Sequence, residues 1–181
     1  MNILVFGKDG QLGRAFKSLF DNFLAVQNLD LQVQYVGRAE CDLANSTEIN
    51  VLLSQESPDL IINASAYTAV DKAESEIDLA YAVNAVAPEI MAQFAAKRGA
   101  TLLHYSTDYV FDGEKYGFYL EDDLRNPLGV YGKSKAAGEE GIARVFANVT
   151  SGQYAIFRTS WVYGDGGNFI RTILRLAKER E

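Results

Sequence analysis

The sequence predicts an α/β fold, a Rossmann-like doubly wound parallel sheet with helices on both faces. Three observations predict this class. Short apolar runs alternate with amphipathic segments along the chain, a glycine-rich turn follows the first run, and small or hydroxyl-bearing residues follow the later ones. Such alternation favours right-handed crossovers and a parallel sheet covered on both faces. We expect one domain over residues 1–181.

The first unit has the pattern of a strand, a glycine turn and a helix. Residues 2–6 are apolar, and a helical pattern follows the glycines. The glycines allow a tight turn, let a pyrophosphate approach the backbone amides and let the helix pack against the strand. An ordinary glycine-rich turn is the alternative, but the position after the first strand favours dinucleotide binding. The residues expected to contact the dinucleotide here are Gly7, Gly10, Gln11, Leu12 and Gly13.

The second apolar segment, residues 31–36, alternates like a strand and ends beside Arg38. An adenosine ribose is expected at this position. Arg38 can pair with a 2′-phosphate, whereas a dedicated NAD binder more often carries an acidic residue there, so Arg38 favours NADP. Asp42 and Leu43 are expected near the adenine, although Asp42 is equally suited to a plain turn.

Helices are predicted on either side of the third strand. Asn45 and Glu48 resemble a capping pair at a helix start. Pro88 is placed in the first turn of a later helix, where a missing N–H matters least, and Gly99 is the natural end of that helix. The predicted helices span residues 45–55, 74–81 and 85–98.

Small side chains follow the third strand, residues 60–62. Ala64, Ser65 and Ala66 allow a flat ligand to pass close to the backbone, so we expect them to contact the cofactor. Close packing of Ala64 and Ala66 against the next strand is the alternative.

The fourth strand, residues 101–105, places Thr107 at its carboxyl end, where open parallel sheets bind ligands. Thr107 is therefore a candidate hydrogen-bond partner for a substrate carbonyl or hydroxyl, and satisfying local backbone groups is its alternative role. His104 lies inside the apolar strand, and we expect it to be a packed core residue rather than an acid or base.

Tyr131 and Lys135 are four residues apart on a predicted helix that runs from residue 131 to about residue 146. This spacing places both on one helix face. An ammonium near a phenol stabilises the phenolate and lowers the pKa of the tyrosine. The pair can then protonate a carbonyl oxygen. A snorkelling surface pair is the alternative.

Beyond this helix the chain offers one more strand, residues 154–158, and an amphipathic helix over residues 168–181. Trp161 and Tyr163 follow the strand and either floor a substrate pocket or cap the core. The acidic run at residues 121–123 is a candidate divalent-cation site, but a solvated loop is the preferred interpretation. We therefore expect no metal.

Composition narrows the function classes. The formal net charge of -7 argues against nucleic acid or an anionic membrane as a partner. Cys41 is the only cysteine, which excludes an internal disulfide, and His104 is the only histidine, which excludes a histidine-based metal site. No apolar run is long enough for a membrane span or signal peptide, so a cytoplasmic location is expected.

Taken in order, these motifs resemble the extended short-chain dehydrogenase/reductases. The resemblance is carried by the glycine loop, the Tyr131-x-x-x-Lys135 helix and four further segments, and it covers essentially the whole chain. These segments are residues 63–76, residues 106–111, residues 157–181 and the shorter motif 158–163, which is part of the third. It implies an NADPH-dependent reduction, with NADH possible, of the C4 ketone of dTDP-4-dehydro-β-L-rhamnose in dTDP-L-rhamnose synthesis.

The resemblance also implies roles for individual residues. Tyr131 would be the acid, Lys135 would bind the nicotinamide ribose and lower the tyrosine pKa, and Thr107 would take a hydroxyl role that many relatives give to serine. The positions that match the family's sugar pocket are Thr68, Val70, Tyr109 and Trp161.

Members of this family continue past the position of Glu181 into a smaller, mostly helical region that completes the nucleotide-sugar site. We therefore expect this chain to be mainly the NAD(P)-binding portion, able to bind NADP(H) but poor at turning over the dTDP-sugar. A homodimer is compatible with the resemblance.

Two other functions stay open. A non-catalytic NADP-binding subunit, similar to the methionine adenosyltransferase regulatory subunit, would bind a partner enzyme, although the intact Thr107, Tyr131 and Lys135 argue against it. Another nucleotide-sugar reductase or epimerase would keep the same residues, and an epimerase would return the hydride instead of consuming the cofactor.

Overall fold

The sheet has five parallel strands in the order β2-β1-β3-β4-β5, which confirms the predicted fold class. The computed structural model describes residues 1–27, 30–164 and 169–179, with the side chains of residues 24–27 outside the description. The strands are β1 Asn2–Phe6, β2 Gln32–Val36, β3 Leu60–Asn63, β4 Thr101–Thr107 and β5 Gln153–Thr159. Each lies within one or two residues of its predicted position.

Seven α-helices occur in the described ranges. They are α1 Gln11–Gln27, α2 Ser46–Glu56, α3 Val70–Ala73, α4 Ile77–Tyr81, α5 Ala87–Arg98, α6 Val130–Phe146 and α7 Phe169–Glu179. The last lies inside the predicted range 168–181, of which residues 168, 180 and 181 are outside the described residues. No helix among those described is long and apolar enough to cross a membrane.

Alternate residues of β1 point into two separate cores. Leu4 and Phe6 pack with residues of α2, α5 and α6 on one face, and Ile3 and Val5 pack on the other. Phe16 of α1 belongs to this second cluster. Because successive side chains of a strand alternate in direction, an unbroken apolar run such as β1 requires burial on both faces. The sheet is thus covered by helices on both sides.

The start of α2 confirms the predicted cap. The Asn45 side chain accepts hydrogen bonds from the backbone N–H groups of Thr47 and Glu48. In a reciprocal capping box, Glu48 would accept from the Asn45 backbone N–H. Here its carboxylate accepts instead from the Asp42 N–H and from the Asn45 side-chain amide. The cap therefore also fixes the loop that leads from β2.

The predicted break between helices 74–81 and 85–98 is wrong. Helix α4 runs through a π-helical turn, Ala82–Val86, directly into α5. Pro88 lies in the first turn of α5 and Gly99 ends it with φ of 73°, both as predicted. Residues 74–76 are a turn between the short helix α3 and α4.

The register brings the carboxyl ends of two central strands level. Phe6 pairs with Asn63, so β1 and β3 end together, and Asn63 pairs with His104, so β4 continues three residues beyond them to Thr107. The chain goes from β1 outwards to β2 and returns across β1 to β3, which places a topological switch point between β1 and β3. Open parallel sheets bind ligands in the crevice at such a point.

Candidate functional site

A cavity of about 800 Å³ opens at the carboxyl edge of the sheet. Its size falls in the range of small-molecule sites. Most of the residues singled out from the sequence line it. Those residues are Gly7, Gly10, Gln11, Leu12, Arg38, Asp42, Leu43, Ala64, Ser65, Ala66, Thr68, Thr107, Tyr131, Lys135 and Trp161.

Gly13, Val70 and Tyr109 are outside this lining. Gly13 instead permits close packing, since a Cβ there would lie 2.0 Å from the Gly7 carbonyl oxygen. Val70 begins α3. Tyr109 is half-exposed and packs edge-on against the Tyr131 ring, with centroids 5.5 Å apart.

The glycine turn leaves backbone exposed to the cavity. Gly7 has φ of 89°, a conformation that favours glycine, and its N–H donates to the Val36 carbonyl at 2.8 Å. A Cβ at Gly7 would lie 2.8 Å from the Ala64 backbone. The turn after β1 and the small-residue loop after β3 therefore pack backbone against backbone. Gly7 and Gly10 both line the cavity, so a pyrophosphate can approach their backbone without meeting a side chain.

Two ion pairs, each of a basic and an acidic side chain, lie near the position predicted for the adenosine ribose. Arg38 is largely exposed, with its Nη2 3.5 Å from Asp42 Oδ2. Asp42 Oδ1 also accepts from the Ala44 N–H at 3.0 Å, so Asp42 has the predicted turn role as well as a place in the cavity lining. Lys8 and Glu40 form the second pair, which the sequence interpretation missed. Glu40 also accepts from the Gly37 N–H at 2.8 Å.

Lys135 is buried and held from β4. Its Nζ donates to the Tyr105 carbonyl at 2.6 Å and lies 3.2 Å from His104 Nε2. Burial lowers the pKa of Lys135 to about 8, against the opposing charge of Glu139. His104 is buried as predicted. Its contact with Lys135 was not predicted.

The pKa of Tyr131 is raised, not lowered as expected. Burial raises its pKa, a hydrogen bond with Thr107 acts in the opposite direction, and the charge of Asp108 adds to the increase. The expectation that Lys135 lowers the Tyr131 pKa is wrong for this structure, because the Lys135 amine is directed to β4. A phenol with a raised pKa is still a proton donor, but one that is protonated at neutral pH.

Thr107 has the local backbone role that was weighed for it, and it also lines the cavity. Its hydroxyl accepts from the Tyr109 N–H at 3.2 Å and donates to Asp108 Oδ1 at 3.1 Å, which is the local backbone role. It also lines the cavity with Tyr131. The short 3₁₀ turn Asp108–Val110 that it caps keeps its side chain at the end of β4.

Asn84, which the sequence did not reveal, is a buried residue behind the cavity lining. It lies in the π-helical turn, is buried, and both accepts from the Tyr67 N–H at 2.8 Å and donates to the Tyr67 carbonyl at 3.0 Å. Its amide also donates to Ser134 Oγ at 3.0 Å. Asn84 thus connects the small-residue loop to α6, close to Tyr131 and Lys135. π-turns often mark functional sites, which is the signal available in hindsight.

Trp161 lines the cavity and packs against Phe169 with the two rings tilted by 37° and their centroids 4.6 Å apart. Trp161 is 61% exposed and Tyr163 is 53% exposed, so neither caps the core.

The acidic run at residues 121–123 makes contacts within its own loop. The Asp123 carboxylate accepts hydrogen bonds from the Lys115 ammonium and from the Leu120 N–H. Among the described residues, no three His, Cys, Asp or Glu side chains form a cluster able to hold a metal.

Comparison with known proteins gives a consistent set of relatives. The family described as RmlD substrate binding domain matches residues 1–181. The chain is 46% identical over 188 residues to the dTDP-4-dehydrorhamnose reductase of Escherichia coli (strain K12), a match that covers 100% of this chain and 58% of that protein.

Solved structures agree. A dTDP-4-dehydrorhamnose reductase from Clostridium acetobutylicum ATCC 824 superposes with a TM-score of 0.87 at 38% identity, covering 99% of this chain and 60% of that one. The enzyme of the same name from Bacillus anthracis str. Ames, in complex with NADP, gives a TM-score of 0.85 at 34% identity over 99% and 60%. The chain thus spans less than two thirds of the length of the relatives it matches.

Proposed function

The chain belongs to the RmlD substrate binding domain family, and from this premise we propose that it is the NADPH-binding and proton-donating part of a dTDP-4-dehydrorhamnose reductase. The reaction is the reduction of the C4 ketone of dTDP-4-dehydro-β-L-rhamnose to dTDP-L-rhamnose. The observation that carries the proposal is the meeting of Thr107, Tyr131 and Lys135 in one cavity with the glycine turn. A ketone reductase needs a proton donor and a dinucleotide cradle fixed on the same scaffold.

The residues present fit a dinucleotide. The backbone of Gly7 and Gly10, which lines the cavity without side chains, is the proposed pyrophosphate site. Arg38 and the Lys8–Glu40 pair lie beside the expected ribose, where cations favour a 2′-phosphate and a carboxylate favours free hydroxyls. NADPH is therefore the proposed cofactor, with NADH accepted, and when bound it supplies the hydride.

The protein's own groups handle the proton. Tyr131 is protonated at neutral pH, as any phenol with an ordinary or raised pKa is, so its hydroxyl can donate to the oxygen of a ketone as negative charge develops there. Thr107, which hydrogen-bonds Tyr131, orients that hydroxyl and can bond the same oxygen. Lys135 lines the cavity one helical turn from Tyr131 and is the residue proposed to hold the nicotinamide ribose.

The substrate site of the proposed enzyme extends beyond this chain. Thr68 and Trp161 line the cavity and are the proposed sugar contacts, together with Val70 and Tyr109, which are outside the lining. We propose that further residues, of the kind present in the longer relatives, complete the dTDP-sugar pocket. A homodimer and a cytoplasmic location are parts of the same proposal.

The decisive experiment measures NADPH oxidation with dTDP-4-dehydrorhamnose, using this chain and a chain extended to the length of its relatives. We expect the extended chain to consume NADPH and this chain to bind NADPH with little turnover. Tyr131→Phe in the extended chain should lower kcat by about 10²-fold or more while leaving NADPH binding intact. Near-full activity of Tyr131→Phe would refute the proton-donor role.

The same assay separates the two alternatives. An epimerase returns its hydride and gives no net NADPH oxidation, whereas the proposed reductase consumes one cofactor per product. A regulatory subunit would bind NADP, fail to transfer hydride even at full length and co-purify with a synthetase. Either result would replace the reductase proposal.

A further inference from the structure

Asp9 places a carboxylate over the first residue after β2. A Cβ built on Gly37 would lie 2.4 Å from Asp9 Oδ2 and 3.2 Å from Glu40 Oε2. The Asp9 side chain therefore reaches from the turn after β1 across to the carboxyl end of β2. Asp9, Gly37 and Arg38 all line the cavity at this point, whereas Glu40 is outside the lining.

The other two acidic side chains near this position are already engaged. Glu40 binds the Lys8 ammonium and accepts a hydrogen bond from a backbone N–H at 2.8 Å. Asp42 pairs with Arg38 at 3.5 Å and accepts from a backbone N–H of its own turn at 3.0 Å. Each of these carboxylates thus has partners within the protein.

Asp9 differs from them. It is exposed, and in the part of the chain that the structure describes its carboxylate makes no ion pair or hydrogen bond. The Arg14 guanidinium donates to the backbone carbonyl of Asp9, and the adjacent Lys8 is bound to Glu40. The Asp9 carboxylate therefore stands in the cavity lining with its charge available to a ligand.

The end of β2 is where a Rossmann-like sheet binds the adenosine ribose. A carboxylate at this position accepts hydrogen bonds from the free ribose hydroxyls of NADH. The same carboxylate repels a 2′-phosphate, because both groups are negative and close together. Arg38 has the reverse preference, since a guanidinium suits a phosphate. The crevice thus carries one group of each kind.

We propose that Asp9 is a specificity-determining residue that favours NADH and opposes NADPH at the ribose end of the cavity. This role rests on the proposed function, in which NADPH is the cofactor and NADH is accepted. Arg38 attracts the 2′-phosphate and Asp9 repels it, so the preference of the chain is the difference between two opposing groups. The glycine turn thereby supplies the carboxylate that a dedicated NAD binder has after β2.

Asp9→Asn removes the charge and keeps the shape of the side chain. We expect the dissociation constant of NADPH to fall by about tenfold, because the repulsion of the 2′-phosphate is lost. The constant of NADH should rise by about threefold, since an amide oxygen is a weaker acceptor for the ribose hydroxyls than a carboxylate. Fluorescence titration of each reduced cofactor with the chain, without substrate, measures both constants.

Asp21→Asn is the matched control. Asp21 is exposed on α1, pairs with Lys17 at 2.9 Å and is outside the cavity lining. The substitution changes the net charge by the same amount, so neither constant should move. Asp9→Ser, which removes the carboxylate with a smaller side chain, should change the NADPH constant in the same direction as Asp9→Asn.

Two fragments confine the test to the ribose. Adenosine 5′-monophosphate and adenosine 2′,5′-bisphosphate differ only in the 2′-phosphate, and neither contains the nicotinamide proposed to lie near Tyr131 and Lys135. Calorimetric titration should show tighter binding of the bisphosphate to Asp9→Asn than to the unmodified chain, and no gain for the monophosphate. The gain should decrease at high ionic strength, because salt screens exposed charges.

The outcomes separate the role of Asp9 from the proposed function. An unchanged ratio of the NADPH and NADH constants in Asp9→Asn would overturn the role, and so would an equal change in both. If the unmodified chain binds neither cofactor, the proposed function fails and the role of Asp9 fails with it. If the chain binds both and only the ratio does not move, the role of Asp9 alone is refuted. A shifted ratio in an extended chain that does not reduce the dTDP-sugar would refute the reductase proposal alone.

Discussion

At the scale of single residues, Glu139 is a buried carboxylate that joins α6 to β5 and to the loop before α6. It is 1% exposed and accepts from Arg158 Nη2 at 2.7 Å and from Arg125 Nη1 at 3.1 Å. Burial alone raises the pKa of Glu139, but the hydrogen bonds and charge of Arg158, with Arg125, outweigh it and lower the pKa. Its ionised form is therefore favoured by folding.

We predict that Glu139→Gln lowers the free energy of unfolding by about 2 kcal/mol at pH 7, because an amide cannot satisfy two guanidinium groups. A folded pKa below the ordinary 4.5 means that the stabilisation is present above that pH and is lost as the pH falls through the folded pKa. The difference between the two proteins should therefore shrink below pH 4.5. Urea unfolding at several pH values measures it.

The neighbouring Glu140→Gln is the matched control. Glu140 pairs with the same Arg125 at 3.3 Å, but its side chain is 61% exposed. A solvent-screened pair of this kind contributes little, so we expect a change below about 0.5 kcal/mol. Equal effects of the two substitutions would contradict the assignment of stability to the buried carboxylate.

At the scale of elements, Gly138 and Gly141 of α6 both lie close to a neighbouring element but differ in what a side chain there would meet. A Cβ on Gly138 would lie 2.2 Å from the Asn84 carbonyl oxygen of the π-helical turn. A Cβ on Gly141 would instead meet Glu89 Oε2 at 3.0 Å, the end of a side chain that can move. The first contact is with backbone, so it cannot be relieved without moving α6 or the turn.

We predict opposite effects of the same substitution at these two sites. Gly138→Ala should lower the free energy of unfolding by about 2 kcal/mol through overpacking, despite a gain in helix propensity. Gly141→Ala should be neutral or stabilising by up to about 1 kcal/mol. Denaturant unfolding of both variants measures this difference, and equal destabilisation would show that the contact with the π-helical turn is not decisive.

The elements also show what the sequence can and cannot predict. Strands and the α2 cap were predicted because their signals are local: apolar runs, and Asn45 three residues before Glu48. The π-helical turn was not, since Asn84 is held by Tyr67 and Ser134, which are 17 and 50 residues away. Burial of His104 was predictable from its apolar strand. Its bond to Lys135, 31 residues away, was not.

The catalytic motif shows the same limit. The spacing of Tyr131 and Lys135 correctly predicts that both line one cavity. The spacing does not predict that the Lys135 amine contacts the Tyr105 carbonyl and His104. Because the amine is directed to these partners, the expected lowering of the Tyr131 pKa is absent. Helical geometry determines which face a side chain is on, whereas partners on other strands determine its charge state.

At the scale of the whole molecule, the cavity connects elements that are far apart in the chain. It is lined from Gly7 after β1, from Arg38 after β2, from Ala64 after β3 and from Thr159 at the end of β5. A dinucleotide bound along this edge would contact most of the sheet at once. Binding should therefore stabilise the native state as a unit.

We predict that NADPH at about 100 times its dissociation constant stabilises this chain by about 2.7 kcal/mol, which for a domain of this size raises Tm by roughly 5–10 °C.

Arg38→Ala should weaken NADPH binding by about tenfold, since one ion pair to the 2′-phosphate is lost, and should leave NADH binding unchanged. Arg144→Ala, on the outer side of α6, is the control and should leave both cofactors unaffected. Thermal unfolding with each cofactor measures all three. An equal loss for NADPH and NADH in Arg38→Ala would assign Arg38 to the shared part of the cofactor, and no thermal shift in the unmodified chain would contradict the proposed cradle itself.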